Sequence, residues 1–218
     1  MIFNENCFDT MKRMLENSVD HVLTSPPYNR KRNDKYNNYN DDLVDYYEFI
    51  KDAIRESLRI SSGYVFFNIQ KNYYNKKEVF KIIGDFSEEL IDIIIWNKSN
   101  PMPASGFNVT NSYEFILVLS KKIKTLKSNN TYTKNIINTS VYSENPYKKI
   151  HRAVMKPEVC EYLVKNFTKE GENIYDPFFG LGTTGYICKI NNRSFIGSEL
   201  DPEYCKLAED RIRELESN

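Results

Sequence analysis

The sequence has few of the residues that bind metals or form disulfides. It contains four cysteines and two histidines in 218 residues, and no two cysteines have CxxC spacing. The cysteines are Cys7, Cys160, Cys188 and Cys205, and the histidines are His21 and His151. A structural zinc site needs such ligands in closely spaced groups, so we expect no bound metal.

Neither an excess of charge nor a long apolar run is present. Thirty basic residues stand against thirty acidic ones, so overall charge does not point to a nucleic acid, and any basic surface would have to be local. No apolar run approaches the length that spans a membrane, and residues 1–6 lack the basic-then-apolar pattern of a secretory signal. We therefore expect a cytoplasmic protein without a membrane partner.

The residues that are present can build one folded domain over residues 1–218, since 40% are hydrophobic and 14% aromatic. Short apolar runs predict strands at 19–23, 64–67, 90–96, 115–119, 174–175 and 195–196. Helical spacing predicts helices at 43–60 (capped by Asp41 or Asp42), 76–86, 157–167, 184–190 and 202–215. This alternation predicts an α/β domain with a largely parallel sheet, a fold that many kinds of enzyme share.

A glycine-rich motif near the C-terminus follows one of these predicted strands. Gly180 and Gly182 let the backbone approach a ligand closely, and Thr183 or Thr184 can cap the next helix. Asp176, at the strand end, can bind polar groups of a cofactor. Glu199 follows the next predicted strand at a spacing typical of acids that bind ribose hydroxyls. Alone, the motif fits a purely structural turn equally well.

A second motif, Thr24-Ser-Pro-Pro-Tyr-Asn29, follows the predicted strand at 19–23. The two prolines have fixed φ angles and lack N–H groups, so the preceding carbonyls project from a rigid frame. The Ser25 hydroxyl and the Pro26 carbonyl could accept the two hydrogens of an aromatic amine, whose lone pair is otherwise conjugated with its ring. Tyr28 offers a face on which an extruded base can stack. The alternative is a strand end without chemistry.

Together, the two motifs resemble those of the β-class DNA amino-methyltransferases, which use S-adenosylmethionine. Residues 25–28 resemble their catalytic motif, and residues 176–184 resemble their cofactor loop. The catalytic motif comes first, which is the circularly permuted order of that class. Residues 96–103, 111–121 and 151–157 resemble further stretches of it. The resemblance implies a Rossmann-like methyltransferase sheet, mostly parallel with one antiparallel strand, and with helices on both faces.

The resemblance also implies roles for individual residues. The catalytic residues would be Ser25, Pro26, Pro27 and Tyr28, acting on a flipped base. The residues that bind S-adenosylmethionine would be Asn6, Cys7, Thr24, Asp176, Pro177, Phe178, Gly180, Gly182, Thr183, Thr184 and Glu199. The family often opens with Gly-Asp-Cys, where this chain has Glu5-Asn6-Cys7. A serine at the first catalytic position is more often linked to cytosine N4 than to adenine N6, so cytosine N4 is slightly favoured.

Two irregular basic segments are candidates for contact with double-stranded DNA. Residues 121–150 carry seven lysines against one glutamate and form a candidate target-recognition region. The candidate DNA-binding residues are Arg30, Lys31, Arg32, Lys121, Lys122, Lys124, Lys127 and Lys134. The alternative for both segments is an ordinary solvated loop. The family normally carries a larger recognition insertion, so we expect a homodimer or a cognate restriction endonuclease as possible partners.

Three other functions fit parts of the pattern. RNA or protein-glutamine methylation uses a similar Pro-Pro-Tyr motif, but the cofactor loop usually precedes it there. A nucleic-acid-binding protein could keep the methyltransferase fold without catalysis. A nucleotide-dependent oxidoreductase is disfavoured because its GxGxxG fingerprint normally follows the first strand, whereas residues 180–185 read Gly-Leu-Gly-Thr-Thr-Gly.

Overall fold

The centre of the fold is a sheet whose inner strands are buried on both faces. The computed structural model describes residues 1–29, 43, 45–101, 103, 104, 106, 108–140 and 155–216. Its eight strands are β1 Ile2–Asn4, β2 His21–Thr24, β3 Val65–Ile69, β4 Leu90–Lys98, β5 Tyr113–Leu119, β6 Ile136–Thr139, β7 Asn173–Asp176 and β8 Ser194–Glu199. They lie in the order β1-β8-β7-β2-β3-β5-β4-β6.

Seven strands run in one direction and β5 runs in the other. β5 pairs antiparallel with both β3 and β4, and the remaining neighbours pair in parallel. The predicted mostly parallel sheet with one antiparallel strand is therefore confirmed. We call the edge of the sheet at which the seven parallel strands end the carboxyl edge, and the opposite one the amino edge.

Helices cover both faces of the sheet, as predicted. They are α1 Cys7–Arg13, α2 Tyr46–Ile60, α3 Lys76–Asp85, α4 Pro157–Phe167, α5 Thr183–Ile190 and α6 Pro202–Arg213, and a short 3-10 turn follows at Glu214–Glu216. Side chains alternate between the two faces: Val65 and Phe67 pack in the core beneath α1, α2 and α3, whereas Phe66 packs in the core beneath α4 and α5. This alternation buries β3 completely.

The structure differs from the predicted elements where local signals are weak. Helix α2 begins at Tyr46 rather than 43, because Asp45 caps it and accepts a bond from the Glu48 N–H at 3.2 Å. The predicted caps Asp41 and Asp42 lie outside the described residues. The predictions missed β1, α1 and β6, which are short; β6 lies within the lysine-rich segment and depends on pairing with β4.

The centre of the carboxyl edge is the point at which the chain changes direction across the sheet. Strand β7 lies next to β2; from β7 the chain continues to β8 on one side, and from β2 it continues to β3 on the other. Loops that follow two such strands diverge and leave a crevice between them, which is where α/β sheets bind ligands. The two sequence motifs follow β2 and β7, so both lie at this crevice.

The Phe179 ring packs directly on glycines behind this crevice. A Cβ atom on Gly185 would lie 2.6 Å from the Phe179 ring, and a Cβ atom on Gly197 would overlap the ring itself. Phe179 cannot move aside easily, because it stacks on Phe195 with ring centroids 5.6 Å apart. The close packing of β8, α5 and the loop after β7 therefore requires these glycines.

We expect Gly197→Ala to destabilise the protein by about 1–3 kcal/mol, the usual cost of overpacking a core. Gly84→Ala is the matched control, since a Cβ atom there meets nothing within 4 Å and alanine favours the helix by up to about 1 kcal/mol. Urea unfolding of both variants measures the difference. Equal stability of the two variants would show that the Phe179 packing is not tight.

Candidate active site

One buried carboxylate joins the two motifs. The Thr24 hydroxyl, at the end of β2, donates a hydrogen bond to Asp176 Oδ1 at 2.7 Å, and the Thr184 hydroxyl donates to Asp176 Oδ2 at 2.7 Å. The Phe178 N–H also donates to Oδ1, at 3.1 Å. Burial raises the pKa of Asp176 to about 6, although the two threonine hydroxyls and the N–H favour the charged form. Asp176 therefore fastens β7 to β2 and to α5.

The loop after β7 is closed by Glu199, at the end of β8. Its carboxylate accepts hydrogen bonds from the Gly180 N–H at 2.8 Å and from the Asp201 N–H at 2.9 Å. Gly180 and Gly182 have φ angles of 52° and 72°, in the left-handed region that glycine adopts without strain. Burial raises the pKa of Glu199.

The N-terminus of α5 differs from its prediction. Gly182 is the residue that precedes the helix, and no side chain caps it. Thr184 donates its hydroxyl to Asp176 instead, and the Thr183 hydroxyl accepts a bond from Arg211 at 3.3 Å. The threonines were expected to bind the free N–H groups of the helix, but the nearby buried carboxylate is the stronger acceptor.

A cavity of about 250 Å³ lies between the loops that follow β2, β7 and β8. The predicted site residues that line it are Asn6, Cys7, Ser25, Pro26, Pro27, Tyr28, Asp176, Pro177, Phe178, Gly180, Thr183, Thr184 and Glu199. Thr24 and Gly182 stand behind its wall: Thr24 is fully buried against Asp176, and a Cβ atom on Gly182 would lie 2.8 Å from Ala208. The fold thus gathers both motifs and the start of α1 around one space.

The cavity wall is both apolar and acidic. Four acidic residues line it, Glu5, Asp176, Glu199 and Asp201, of which Glu5 forms an ion pair with Arg13; the described residues that line it include neither lysine nor arginine. Asp201 caps α6 through its Oδ1, but its buried Oδ2 has no partner in the described part of the chain. Such a wall suits a ligand that carries positive charge and hydrogen-bond donors.

Helix α1 begins at the same cavity. The Asn6 side chain caps the helix by accepting a bond from the Phe8 N–H at 3.0 Å. Cys7 is 6% exposed, and burial raises the pKa of its thiol to about 12, so the thiol is not a nucleophile at neutral pH. Both side chains line the cavity, and their contact with a cofactor stays a prediction.

The Tyr28 hydroxyl is held by a buried polar network from three strands. It donates to Glu114 Oε2 at 2.9 Å, it accepts from the Asn68 side-chain amide at 2.6 Å, and it lies 2.6 Å from Ser25 Oγ. Lys98 forms an ion pair with the other oxygen of Glu114. Glu114 is 3% exposed and Asn68 is fully buried. Tyr28 thus lines the cavity while its hydroxyl points into the sheet.

The Tyr28 carbonyl is held as firmly as its hydroxyl. The side-chain amides of Asn72 and Asn75, in the turn after β3, each donate a hydrogen bond to it at 2.7 Å. The next residue, Asn29, has a φ angle of 50°, which asparagine tolerates better than most residues. Tyr28 is therefore fixed at both ends before any substrate binds.

The sequence patterns did not predict several of these residues. Glu114 had a signal that could have been used, since it is the only charged residue in an otherwise apolar strand. Asp201 had one as well, because an aspartate followed by proline is typical of a helix start. Asn68, which bonds Tyr28, and Phe49, which lines the cavity, carry no local signal. The strand order alone brings Asn68 to the site, and the packing of α2 alone brings Phe49 there.

The described lysines of the basic segment lie away from the cavity. Lys121 and Lys122 follow β5, which ends at the amino edge; Lys122 donates to Asn17 at 3.1 Å and Lys124 to the Glu88 carbonyl at 3.3 Å. The Lys127 N–H bonds the Tyr64 hydroxyl at 3.1 Å, at the same edge. Their role in DNA contact remains a prediction that this placement does not favour.

Of the other candidate DNA-binding residues, the structure describes only Lys134. Lys134 precedes β6 and its N–H bonds the Tyr162 hydroxyl of α4 at 3.1 Å. Arg30, Lys31 and Arg32 lie outside the described residues, as do residues 141–154, which include His151.

His21 has a structural role. Its Nδ1 accepts the Tyr64 N–H at 3.0 Å, so its Nε2 carries the proton that faces Glu172 at 3.0 Å. Within the ranges that the structure describes, no group of Cys, His, Asp or Glu side chains could hold a metal ion. No helix in the described part of the chain has the length and apolar character needed to cross a membrane.

Comparison with known proteins places this geometry in a family. The family model described as DNA methylase (N6_N4_Mtase) matches residues 19–210. The type II methyltransferase M.HinfI of Haemophilus influenzae is 28% identical over all of this chain and 69% of its own length. M.XycI of Xanthomonas campestris pv. cyanopsidis is 34% identical over 57% of this chain, which spans 45% of that relative.

Solved structures share the fold. The PvuII DNA methyltransferase, described as cytosine-N4-specific, superposes with a TM-score of 0.80 at 18% identity, covering 96% of this chain and 85% of that one. The complex of M1.HpyAVI with its cofactor, SAM, gives a TM-score of 0.69 at 23% identity, covering 97% and 98%. Enzymes of this family use S-adenosylmethionine. The chain belongs to the N6_N4_Mtase family of DNA methylases, which are DNA amino-methyltransferases.

Proposed function

We propose that this protein transfers a methyl group from S-adenosylmethionine to the exocyclic amino group of a flipped base in double-stranded DNA, with cytosine N4 slightly favoured over adenine N6. The observation that carries the proposal is the hydrogen bond from Thr24 to Asp176, which sets the Ser25–Tyr28 loop beside the acidic cavity. The amine of a base held by the Ser25–Tyr28 loop and a cofactor bound in the cavity would meet at the cavity mouth.

The cavity has the chemistry that this cofactor needs. S-adenosylmethionine carries a sulfonium and an ammonium group, and four acidic residues line the cavity. Glu199 has the position expected of the acid that binds the ribose hydroxyls, and the buried Asp201 Oδ2 is a further acceptor. Phe178 and Tyr204 form apolar parts of the cavity wall beside these two acids. When bound, the cofactor supplies an electrophilic methyl group.

The buried network orients Ser25 as a hydrogen-bond acceptor. Each hydroxyl has one proton, and a carboxylate can only accept, so Tyr28 gives its proton to Glu114. Ser25 then donates its own proton to the Tyr28 oxygen, 2.6 Å away. Both lone pairs of the Ser25 oxygen are left for the amine of the target base, because the Asn68 amide gives its two hydrogens to Tyr28 and Glu114.

The remaining parts of the loop hold the base. The Pro26 carbonyl would accept the second hydrogen of the amine, and the Tyr28 ring would stack on the base. These contacts favour a tetrahedral nitrogen with a free lone pair that points at the methyl group. Most of the acceleration would come from positioning and from stabilising the positive charge on the nitrogen, and the surplus proton would leave to water or to a nearby acceptor.

The partners of the enzyme are part of the same proposal. The relatives described as type II methyltransferases belong to restriction-modification systems, so a cognate endonuclease is the expected companion of this chain. The candidate target-recognition region, residues 121–150, is short. In a homodimer, the second copy would supply further recognition surface. Both stay predictions, as do the target sequence and the cytoplasmic location.

The product of the reaction identifies the target amine. We expect the protein, incubated with duplex DNA and methyl-labelled S-adenosylmethionine, to release labelled N4-methylcytosine, or N6-methyladenine, when the DNA is digested to nucleosides and weighed by mass spectrometry. Tight cofactor binding with no labelled base would favour the non-catalytic alternative, and labelling of RNA alone would favour the RNA-directed one.

Substitutions in the loop test the proposed roles. We expect Ser25→Ala and Tyr28→Phe each to lower kcat at least about tenfold, since each breaks the hydrogen-bonded chain that orients the amine, and the loss of even one such bond costs about 1.4 kcal/mol. The Kd for S-adenosylmethionine should change less than kcat does, because the acidic residues of the cavity are unaltered, although Ser25 and Tyr28 line the same cavity. Tyr132→Phe, at a side chain that is 98% exposed, is the matched control. Full activity of both Ser25→Ala and Tyr28→Ala would show that the site is wrongly assigned.

The raised pKa of Asp176 predicts a pH-dependent stability. Between its unfolded pKa near 4 and its folded pKa of about 6, the folded protein holds a proton that the unfolded chain has released. The free energy of unfolding should therefore fall as the pH rises through this window, by up to about 3 kcal/mol. Above pH 6 the effect is complete.

Asp176→Asn isolates this effect, because asparagine does not titrate. The stability of the wild type relative to the variant, measured by urea unfolding from pH 4.5 to 7.5, should decrease up to about pH 6 and then stay level. A difference that is independent of pH, or that increases over the window, would contradict the raised pKa.

A further inference from the structure

An aromatic and basic surface lies directly beside the catalytic loop, in the turn between β3 and α3 and in the first residues of α3. It consists of Lys71, Tyr73, Tyr74, Lys76 and Lys77, and we call it the 71–77 surface. Tyr73 is 80% exposed and Tyr74 is 52% exposed. Their ring centroids are 5.3 Å apart, and the Lys76 Nζ lies 5.5 Å from the Tyr73 ring. Two adjacent exposed tyrosines form an aromatic patch that a binding partner could cover.

The turn is tied to the catalytic loop through two asparagines. Asn72 and Asn75 both bond the Tyr28 carbonyl, and Asn75 is fully buried. The Asn72 side-chain oxygen also accepts the N–H groups of Tyr74, at 2.8 Å, and of Asn75, at 3.2 Å. The exposed tyrosines are therefore held at a fixed place relative to Tyr28, so their position is set before a substrate arrives.

The other end of the turn is fixed as well. The Asn111 side chain donates to the Lys71 carbonyl at 2.7 Å, and the Lys71 Nζ lies 5.8 Å from the Tyr113 ring at the start of β5. Because β3 ends and β5 begins at the carboxyl edge, the whole 71–77 surface lies at the same edge as the cavity. Lys121, Lys122 and Lys124 lie at the opposite edge.

The charge of the surface matches a polyanion. Residues 70–77 contain three lysines and no acid, although the chain as a whole has a net charge of zero. Lysines interleaved with exposed aromatic side chains are typical of surfaces that bind phosphates and stack on bases. A flipped nucleotide leaves unstacked bases next to the gap, which offer faces for such stacking.

We propose that the 71–77 surface binds duplex DNA beside the flipped base, with Tyr73 and Tyr74 against the exposed bases and the lysines on the phosphates. This inference rests on the proposed function and names the DNA contact of that site. It assigns DNA binding to the carboxyl edge of the sheet rather than to the described lysines of the 121–150 segment.

Matched pairs of variants test the proposal through the Kd for a fluorescent duplex. We expect Tyr73→Ala to weaken binding at least about fivefold, because one stacking interaction is removed, while Leu15→Ala, at a side chain that is 79% exposed just after α1, has no effect. The triple variant Lys71→Gln/Lys76→Gln/Lys77→Gln should lower the slope of log K against log salt by about 0.9 for each phosphate that it no longer neutralises. The triple variant Lys121→Gln/Lys122→Gln/Lys124→Gln removes equal charge at the amino edge and should leave the slope unchanged.

Three outcomes would decide against the 71–77 surface. Unchanged Kd and slope in the 71–77 variants, or weaker binding confined to the 121–124 variant, would overturn the inference. A change of molecular mass in light scattering for Tyr73→Ala, with DNA affinity intact, would show that the surface pairs two protein copies and would overturn it too. Because the wild type is assayed for methylated product in parallel, failure of the inference is distinct from failure of the proposed function. The Kd for S-adenosylmethionine reports that each variant is folded.

Discussion

The hydrogen bond between Thr24 and Asp176 joins two parts of the chain that are 152 residues apart. It connects the end of β2 to the end of β7, and Asp176 extends the connection to α5 through Thr184. Transfer of the Asp176 carboxylate from water to the protein interior is unfavourable, and the pKa of Asp176 is therefore raised to about 6. Its three hydrogen bonds offset part of that cost. Together with the backbone pairing of β2 and β7, this joint fixes the position of the loop after β2 relative to the glycine-rich loop and the cavity.

A second constraint comes from the single antiparallel strand. Because β5 runs against its neighbours, its first residues lie at the edge where the other strands end. Glu114 is therefore placed behind Tyr28, with Asn68 and Lys98 from the strands on either side. A fully parallel sheet would put the start of that strand, and its acid, at the opposite edge. The antiparallel strand thus supplies a charged anchor at the place where the loop after β2 needs a fixed tyrosine.

The lysine-rich segment, residues 121–150, shows that composition and position in the fold can indicate different roles. Its lysines suggested a surface for DNA, and that reasoning used only their number and their mixture with tyrosines. In the structure, the described part, residues 121–140, runs along the amino edge and then adds β6 to the sheet through pairing with β4. The shorter run at 71–77 has fewer charges, but the bonds from Asn72 and Asn75 to Tyr28 hold it at the catalytic loop.

The sequence by itself determined the fold class and the turns of the two motifs, because strand periodicity, proline pairs and glycine turns act within a few residues. Most of the predicted cavity wall came from the resemblance of these motifs to a known family. Only the tertiary structure decided which polar groups meet. Glu114, Asn68 and Asp176 are neighbours of the loop after β2 through strand order, which no local pattern encodes. The edge on which each basic run lies was decided in the same way, since a strand's direction in the sheet depends on its partners.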